Sequence, residues 1–112
     1  MTTEWEALPH TVKTFMTALS TPVDGRAVAT FTADAVVTDE GRDHTGRDEI
    51  AAWLTASAGE NIYTSEFTGA TTTDTTIDVG QHLEGDFPGG VVDLHFRFTL
   101  DGALISRLVI EP

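Results

Sequence analysis

Val92–Ile110 reads VDLHFRFTLDGALISRLVI. In its first half Val92, Leu94, Phe96 and Phe98 occupy alternate positions, with Asp93, His95 and Arg97 between them. That is the period-two pattern of a strand with one buried face. Asp101-Gly102 is a tight-turn pair, and the apolar residues from Leu104 to Ile110 make a second strand folded back on the first. An antiparallel hairpin of strands at about 90–100 and 103–110 is therefore predicted.

Upstream of it, Thr-rich alternating segments at about 61–73 and 76–86 read as two more strands, with turn chemistry at Asp74 and in the DFPGG stretch, Asp86–Gly90. Four strands joined by short turns predict an antiparallel sheet. The N-terminal half has a different period. Leu8, Val12, Phe15, Met16 and Leu19 recur every three or four residues, the stripe of an amphipathic helix starting near Pro9 and ending before Pro22. In STPVDGRAVATF, Ser20–Phe31, Pro22 and Asp24 suit the start of a short second helix whose apolar face continues through Val28 and Phe31.

After Ala35 the period becomes two, which places Val37 and Asp39 on one face of a short strand and Val36, Thr38 and Glu40 on the other. Gly41–His44 reads as a turn and Gly46 as a break. A third helix follows, with Asp48 and Glu49 in its first turn, where the helix dipole favours acids. Ile50, Trp53 and Leu54 form its apolar stripe, and Gly59 is expected past its end. Helices first and strands second is the α+β pattern, with three N-terminal helices gathered on one face of a curved sheet. At 112 residues the chain is expected to form one domain spanning 1–112.

Composition narrows the function. Eighteen acidic residues against six basic ones give a formal net charge of -12. Such a chain repels phosphate backbones and anionic lipid, so neither nucleic acid nor membrane is an expected partner. No apolar run approaches the roughly 20 residues of a membrane span. The opening MTTEWEALPH does not read as a secretory signal, so a cytoplasmic location is expected. There is no cysteine, and no two of His10, His44, His82 and His95 are spaced to share a metal on a helix. Neither a metal nor a cofactor is expected.

The order of these elements, together with FTADAVVTDEG (Phe31–Gly41), TGRDEIAAWL (Thr45–Leu54) and VDLHFRFTLDGALISRLVI, resembles the nuclear transport factor 2-like superfamily, and within it the SnoaL-like proteins. The resemblance covers nearly the whole chain. It implies a cone-shaped α+β barrel: a strongly bent, mixed but mostly antiparallel sheet around three helices, with an apolar cavity at the wide end. Many members are homodimers joined through the outer face of the sheet. The superfamily includes ketosteroid isomerases, polyketide cyclases, limonene epoxide hydrolases and scytalone dehydratases, as well as non-catalytic binding proteins, so fold alone does not select an activity.

Set against ketosteroid isomerase, Asp39 falls on the general base. The tyrosine and the protonated aspartic acid that donate hydrogen bonds to the enolate in that enzyme fall on Phe15 and Leu94. Loss of one such donor costs about 3 kcal/mol of transition-state stabilisation, so ketosteroid isomerase activity itself is not expected. An epoxide-hydrolase arrangement of two carboxylates and an arginine around a water finds no support in the parity of Arg97. Cyclase chemistry asks chiefly for an acid/base aspartate in an apolar pocket, which Asp39 could supply.

Two readings of Asp39 stand side by side: a general base facing the cavity, or a rim residue that pairs with Arg42 or Arg47 or caps the turn. His44 likewise has two readings: the candidate assistant, returning toward Asp39 after the turn, or an ordinary surface group beside the turn. Phe15, Phe31, Val37, Trp53, Leu54, Tyr63, Phe67, Leu94, Phe96 and Phe98 are the candidate apolar lining, mixed with plain core. Trp53 and Tyr63 stand out because each has a polar group that needs a partner when buried. His82 shares parity with Asp78, Glu84 and Asp86 on an exposed face, and His95 and Arg97 are assigned to the outer face and a dimer interface. Two functions follow: a SnoaL-like protein that takes a small hydrophobic or polycyclic molecule and performs acid/base isomerase, cyclase or hydrolase chemistry with Asp39 and His44; or a non-catalytic dimeric ligand-binding or scaffold domain. A fold filled by its own side chains remains a third.

Overall fold

The structure, a computed structural model, describes residues 2–18, 25–60, 63–73, 76–85 and 89–112, without the side chains of 2, 3, 57–60 and 63. Among the described residues, two helices, α1 (His10–Ala18) and α2 (Gly46–Glu60), accompany strands β1 (Thr2–Thr3), β2 (Phe31–Asp39), β3 (Arg42–Thr45), β4 (Tyr63–Thr72), β5 (Thr76–Gly85), β6 (Val91–Asp101) and β7 (Leu104–Glu111). The strands form one sheet in the order β1-β4-β5-β6-β7-β2-β3. Every neighbouring pair is antiparallel except β2 and β7, which run parallel. The fold is thus α+β on a mixed, mostly antiparallel sheet. Among the described residues no helix is long and apolar enough to cross a membrane.

The C-terminal strands follow the sequence closely because alternation there is unambiguous. Phe96 and Phe98 are buried, whereas Asp93 is exposed and His95 and Arg97 are half-buried on the opposite face. Several N-terminal expectations differ. Of the expected second helix, residues 19–24 lie outside the described residues, as does Leu19 of the first; what is described is a single 3₁₀ turn, Val28–Thr30. Phe31 does not continue that helix but opens β2, where it is fully buried. The two described helices are also separated by the β2–β3 hairpin rather than consecutive.

The Gly41–His44 turn is shorter than expected. Only Glu40 and Gly41 turn, both with positive φ (54° and 76°), and Arg42–Thr45 pair back onto β2. Positive φ at both central residues is what a type I′ hairpin requires, so the chain reverses in two residues and the next four are free to form a strand. Gly59 falls inside α2 rather than beyond it. β1 and a 3₁₀ turn at Trp5–Ala7 add a short edge that no periodicity reveals.

Helix α2 begins where Glu49 Oε1 accepts the Thr45 N–H at 3.0 Å, the back-reaching half of a capping box. Its stripe of Ile50, Trp53 and Leu54 is buried. Between Phe31 and Val36 the β2–β7 register shifts, and Arg47 donates from Nε (3.0 Å) and Nη2 (2.7 Å) to the Phe31 carbonyl at the start of that irregularity. One core cluster fills the space between sheet and helices. At its centre Phe15 meets Phe31 and Phe98 edge to face, with ring centroids 5.4 and 5.6 Å away. Such geometry suits the aromatic quadrupole.

Candidate functional site

The last residue of β2 is Asp39, and the hairpin fixes what surrounds it. Cross-strand pairing sets Val37 opposite His44 and Asp39 opposite Arg42. Directly paired residues share a face, so His44 projects on the same side as Val37 and Asp39. Val37 is fully buried on that side, which confirms the direction. Helix α2 packs over this face and brings Trp53 between the two titratable groups. Its Nε1–H donates to Asp39 Oδ2 at 3.0 Å, and its ring lies in a stacked arrangement with His44, centroids 5.8 Å apart and planes 29° from parallel. Asp39 and His44 are half-buried and Trp53 is 8% exposed.

Asp39, His44 and Trp53, three residues singled out by sequence, therefore meet at one place. Its chemistry is legible. An indole N–H can only donate, so Trp53 holds one carboxylate oxygen and leaves Oδ1 as the oxygen that can take a proton. The neighbouring His44 imidazole can both donate and accept a hydrogen bond. The alternative partners proposed for Asp39 are accounted for in part: Arg47 is committed to the Phe31 carbonyl, while Arg42 is the backbone partner of Asp39 across the hairpin.

The apolar candidates divide. Phe15, Phe31, Val37, Trp53 and Phe96 belong to the buried core cluster, Leu94 packs partly buried against it, and the side chain of Tyr63 lies outside the described residues. Phe15 is fully buried among rings, and Leu94 carries no polar atom on its side chain, so neither supplies an oxyanion donor. Asp93, next to Leu94, is exposed and turned the other way.

The outer face of β5 and β6 is occupied by cross-strand pairs. Asp78 accepts from His95 (2.8 Å) and Arg97 (3.2 Å), and Arg97 also pairs with Glu111. His82 Nδ1 lies 2.6 Å from Asp93 Oδ1 and its Nε2 is 3.8 Å from Glu84. The hydrogen bond to Asp93 is the main reason the His82 pKa is raised; partial desolvation opposes it, and the charges of Asp93, Glu84 and Glu66 add to the rise. Among the described residues no three His, Asp or Glu side chains form a group able to hold a metal ion. Sequence reasoning does not reach a groove beside α1, bounded by Trp5, Lys13 and Arg26 and remote in sequence from Asp39. The available signal is His10, Lys13, Thr14 and Thr17, which recur at helical spacing on the polar side of α1.

Comparison with solved structures agrees with this architecture. A proposed polyketide cyclase of Sinorhizobium meliloti is similar at a TM-score of 0.89 and 32% identity, over 97% of this chain and 100% of that one. Delta 5-3-ketosteroid isomerase from Mycobacterium sp. is similar at a TM-score of 0.72 and 20% identity, over 91% of this chain and 89% of that one. A Mycobacterium tuberculosis protein in complex with estradiol-17β-hemisuccinate is similar at a TM-score of 0.72 and 14% identity, over 91% and 90% of the two chains. Comparison with protein-family models and with curated protein sequences gave no match.

Proposed function

The chain belongs to the SnoaL-like family of the nuclear transport factor 2-like superfamily, and from that premise we propose that it binds a small hydrophobic or polycyclic carbonyl compound and transfers a proton with Asp39. The observation that carries the proposal is the shared indole: Trp53 fixes Asp39 Oδ2 by a hydrogen bond and stacks on His44. A ligand in the apolar cavity that the family's cone-shaped barrel implies would lie against Trp53, Leu94 and Phe96, which keep some exposed surface, rather than the fully buried Val37. Asp39 Oδ1 would take a proton from the carbon beside the carbonyl, and the electron pair left behind would pass into the carbonyl as an enolate. Returning the proton to another carbon is an isomerisation, and attack of the enolate carbon on a second carbonyl within the same molecule is a cyclisation.

An N–H of the His44 imidazole is the donor proposed for the enolate oxygen, because Phe15 and Leu94, on which the donors of ketosteroid isomerase fall by the resemblance, have none. Support for a polycyclic ligand comes from two similar structures, a Delta 5-3-ketosteroid isomerase and a protein in complex with estradiol-17β-hemisuccinate. The alternative, a ligand-binding protein without chemistry, has the same pocket and an idle Asp39. Pairing of two copies through the outer sheet face belongs to the same proposal. Half-buried Val36 and Val109 there adjoin Arg97 and Arg107, the mixture of aliphatic and arginine side chains that interfaces favour.

Hydrogen–deuterium exchange beside the carbonyl of 2-tetralone, an apolar bicyclic ketone, separates the two readings. The wild-type protein is expected to accelerate exchange, Asp39→Asn to lose that acceleration by about 10²- to 10⁴-fold, and His44→Gln to lose part of it. Equal exchange by wild type and Asp39→Asn would sink the enzymatic reading in favour of the binding one.

A further inference from the structure

Gln81 is the only glutamine in the chain, and it lies inside, 6% exposed. On β5 it shares parity with Val79, which is fully buried, and with Leu83. Its cross-strand partners are Phe67 on β4 and Leu94 on β6, both packed against the core cluster. Directly paired residues share a face, so Gln81 projects inward with an apolar side chain on either side. A buried carboxamide, with two N–H donors and a carbonyl acceptor, ordinarily has a hydrogen-bond partner. Among the described residues the Gln81 side chain has none, and no side-chain nitrogen or oxygen of theirs is fully occluded without one. The carboxamide therefore reaches accessible space on the inner face, where a ligand can supply the missing bond.

That space belongs to the same end of the sheet as Asp39. Inner-face residues of β6 go from fully buried Phe98 to half-buried Leu94 and Val92. On β2 fully buried Val37 gives way to half-buried Asp39, and on β7 fully buried Leu108 gives way to Ile110, which keeps some surface. Strand β2 runs parallel to β7, and β6 runs antiparallel to both β7 and β5, so burial falls toward one end of the sheet on all of them. Asp39, Ile110, Phe96 and Val79 form one cross-strand row, and Gln81 stands one inner-face step beyond Val79 toward that end.

Distance and polarity together select what Gln81 would hold. Three strand spacings and one inner-face step put its backbone roughly 16 Å from that of Asp39 along the sheet. His44, the donor assigned to the enolate oxygen, is one strand further away. Two hydrogen bonds of about 3 Å to a single oxygen do not cover that span, so Gln81 meets a different group of the ligand. Between Phe67 and Leu94 a charged group would be costly to desolvate, whereas a hydroxyl or carbonyl is matched by the amide's donors and acceptor. We propose, resting on the ligand cavity proposed beside Asp39, that Gln81 determines specificity there: its carboxamide holds a second, neutral oxygen function at the end of the ligand remote from the carbonyl that Asp39 enolises. The substrate class is thereby narrowed to polycyclic ketones carrying a distal hydroxyl or carbonyl.

The probes are 2-tetralone and 6-hydroxy-2-tetralone, the same bicyclic ketone with a hydroxyl at its far end, each titrated into the full chain labelled with ¹⁵N. Asn61 is the only asparagine, so the side-chain NH₂ signals are two pairs, and Gln81→Met assigns them. Both ketones are expected to shift the Trp53 indole N–H, and only the hydroxylated one to shift the Gln81 NH₂ pair. It should bind about three- to tenfold more tightly than 2-tetralone, the scale of one net hydrogen bond. Gln81→Met should abolish that advantage and bind 2-tetralone as wild type does. The wild-type NH₂ shifts test the contact even if the variant is perturbed. Trp53 shifts without Gln81 shifts, or an advantage of the hydroxyl that survives in Gln81→Met, would overturn the proposal and leave the cavity beside Asp39 standing. Absence of Trp53 shifts with both ketones would overturn the two together.

Discussion

At Asp39 the decisive interaction is a single hydrogen bond from Trp53. Removing the donor while keeping an aromatic ring isolates it. Trp53→Phe should destabilise the protein by about 1–2 kcal/mol, since a hydrogen bond to a charged group at a part-buried site lies in that range. A double-mutant cycle with Asp39→Ala in urea denaturation should recover most of that as coupling energy. Purely additive effects would mean that the bond contributes nothing to the folded state. Strand parity suffices to orient Asp39, because Val37 and Asp39 must share a face whatever the rest of the chain does. The identity of its partner was legible only as a need: a buried indole N–H requires an acceptor, but Arg42 and Arg47 were equally admissible neighbours of the carboxylate. Packing of α2 on the β2–β3 hairpin selected the indole and sent Arg47 to the Phe31 carbonyl.

Among the elements, the β2–β3 hairpin is the piece on which the site depends. Its reversal rests on Glu40 at φ 54° and Gly41 at φ 76°. A side chain at a left-handed position costs about 1–2 kcal/mol. Gly41→Ala should lower stability by about 1 kcal/mol, whereas Glu40→Asn, a residue that tolerates this conformation, should raise it slightly; thermal unfolding of both variants checks the pair. The sequence places a turn here but does not fix its length, because Gly41–His44 and Glu40-Gly41 are both plausible from composition. Pairing with β2 decided between them.

The β5–β6 ladder carries its own pH dependence. The hydrogen bond that His82 donates to Asp93 raises the His82 pKa above 6.5, so the folded state binds that proton more tightly than the unfolded chain does. The stabilisation is complete below about pH 6.5 and is lost as pH rises through the folded value. His82→Gln should therefore be less stable than wild type in mildly acidic solution and approach it under alkaline conditions. An NMR titration of His82 with a midpoint at or below 6.5 would refute the assignment.

For the whole molecule, one sheet carries two environments. Its inner face meets α1, α2 and the aromatic centre at Phe15, and its outer face bears the His, Arg and carboxylate pairs beside Val36 and Val109. If two copies meet through that outer face, light scattering at increasing concentration should reveal a dimer, and Val109→Asp together with Val36→Asp should return it to monomer. A monomer at every concentration would remove the outer face from the proposed assembly.

The sequence by itself determined the α+β class, the C-terminal strands to within a residue or two, the buried stripe of α2 and the shared face of Val37 and Asp39. Each of these follows from periodicity, which is a local property of the covalent chain. Tertiary structure alone decided that β2 runs parallel beside β7, that Phe31 opens a strand rather than continuing a helix, and that Trp53 stands between Asp39 and His44. Those outcomes depend on contacts between residues far apart in the chain, where burial and hydrogen-bond satisfaction outweigh local preference.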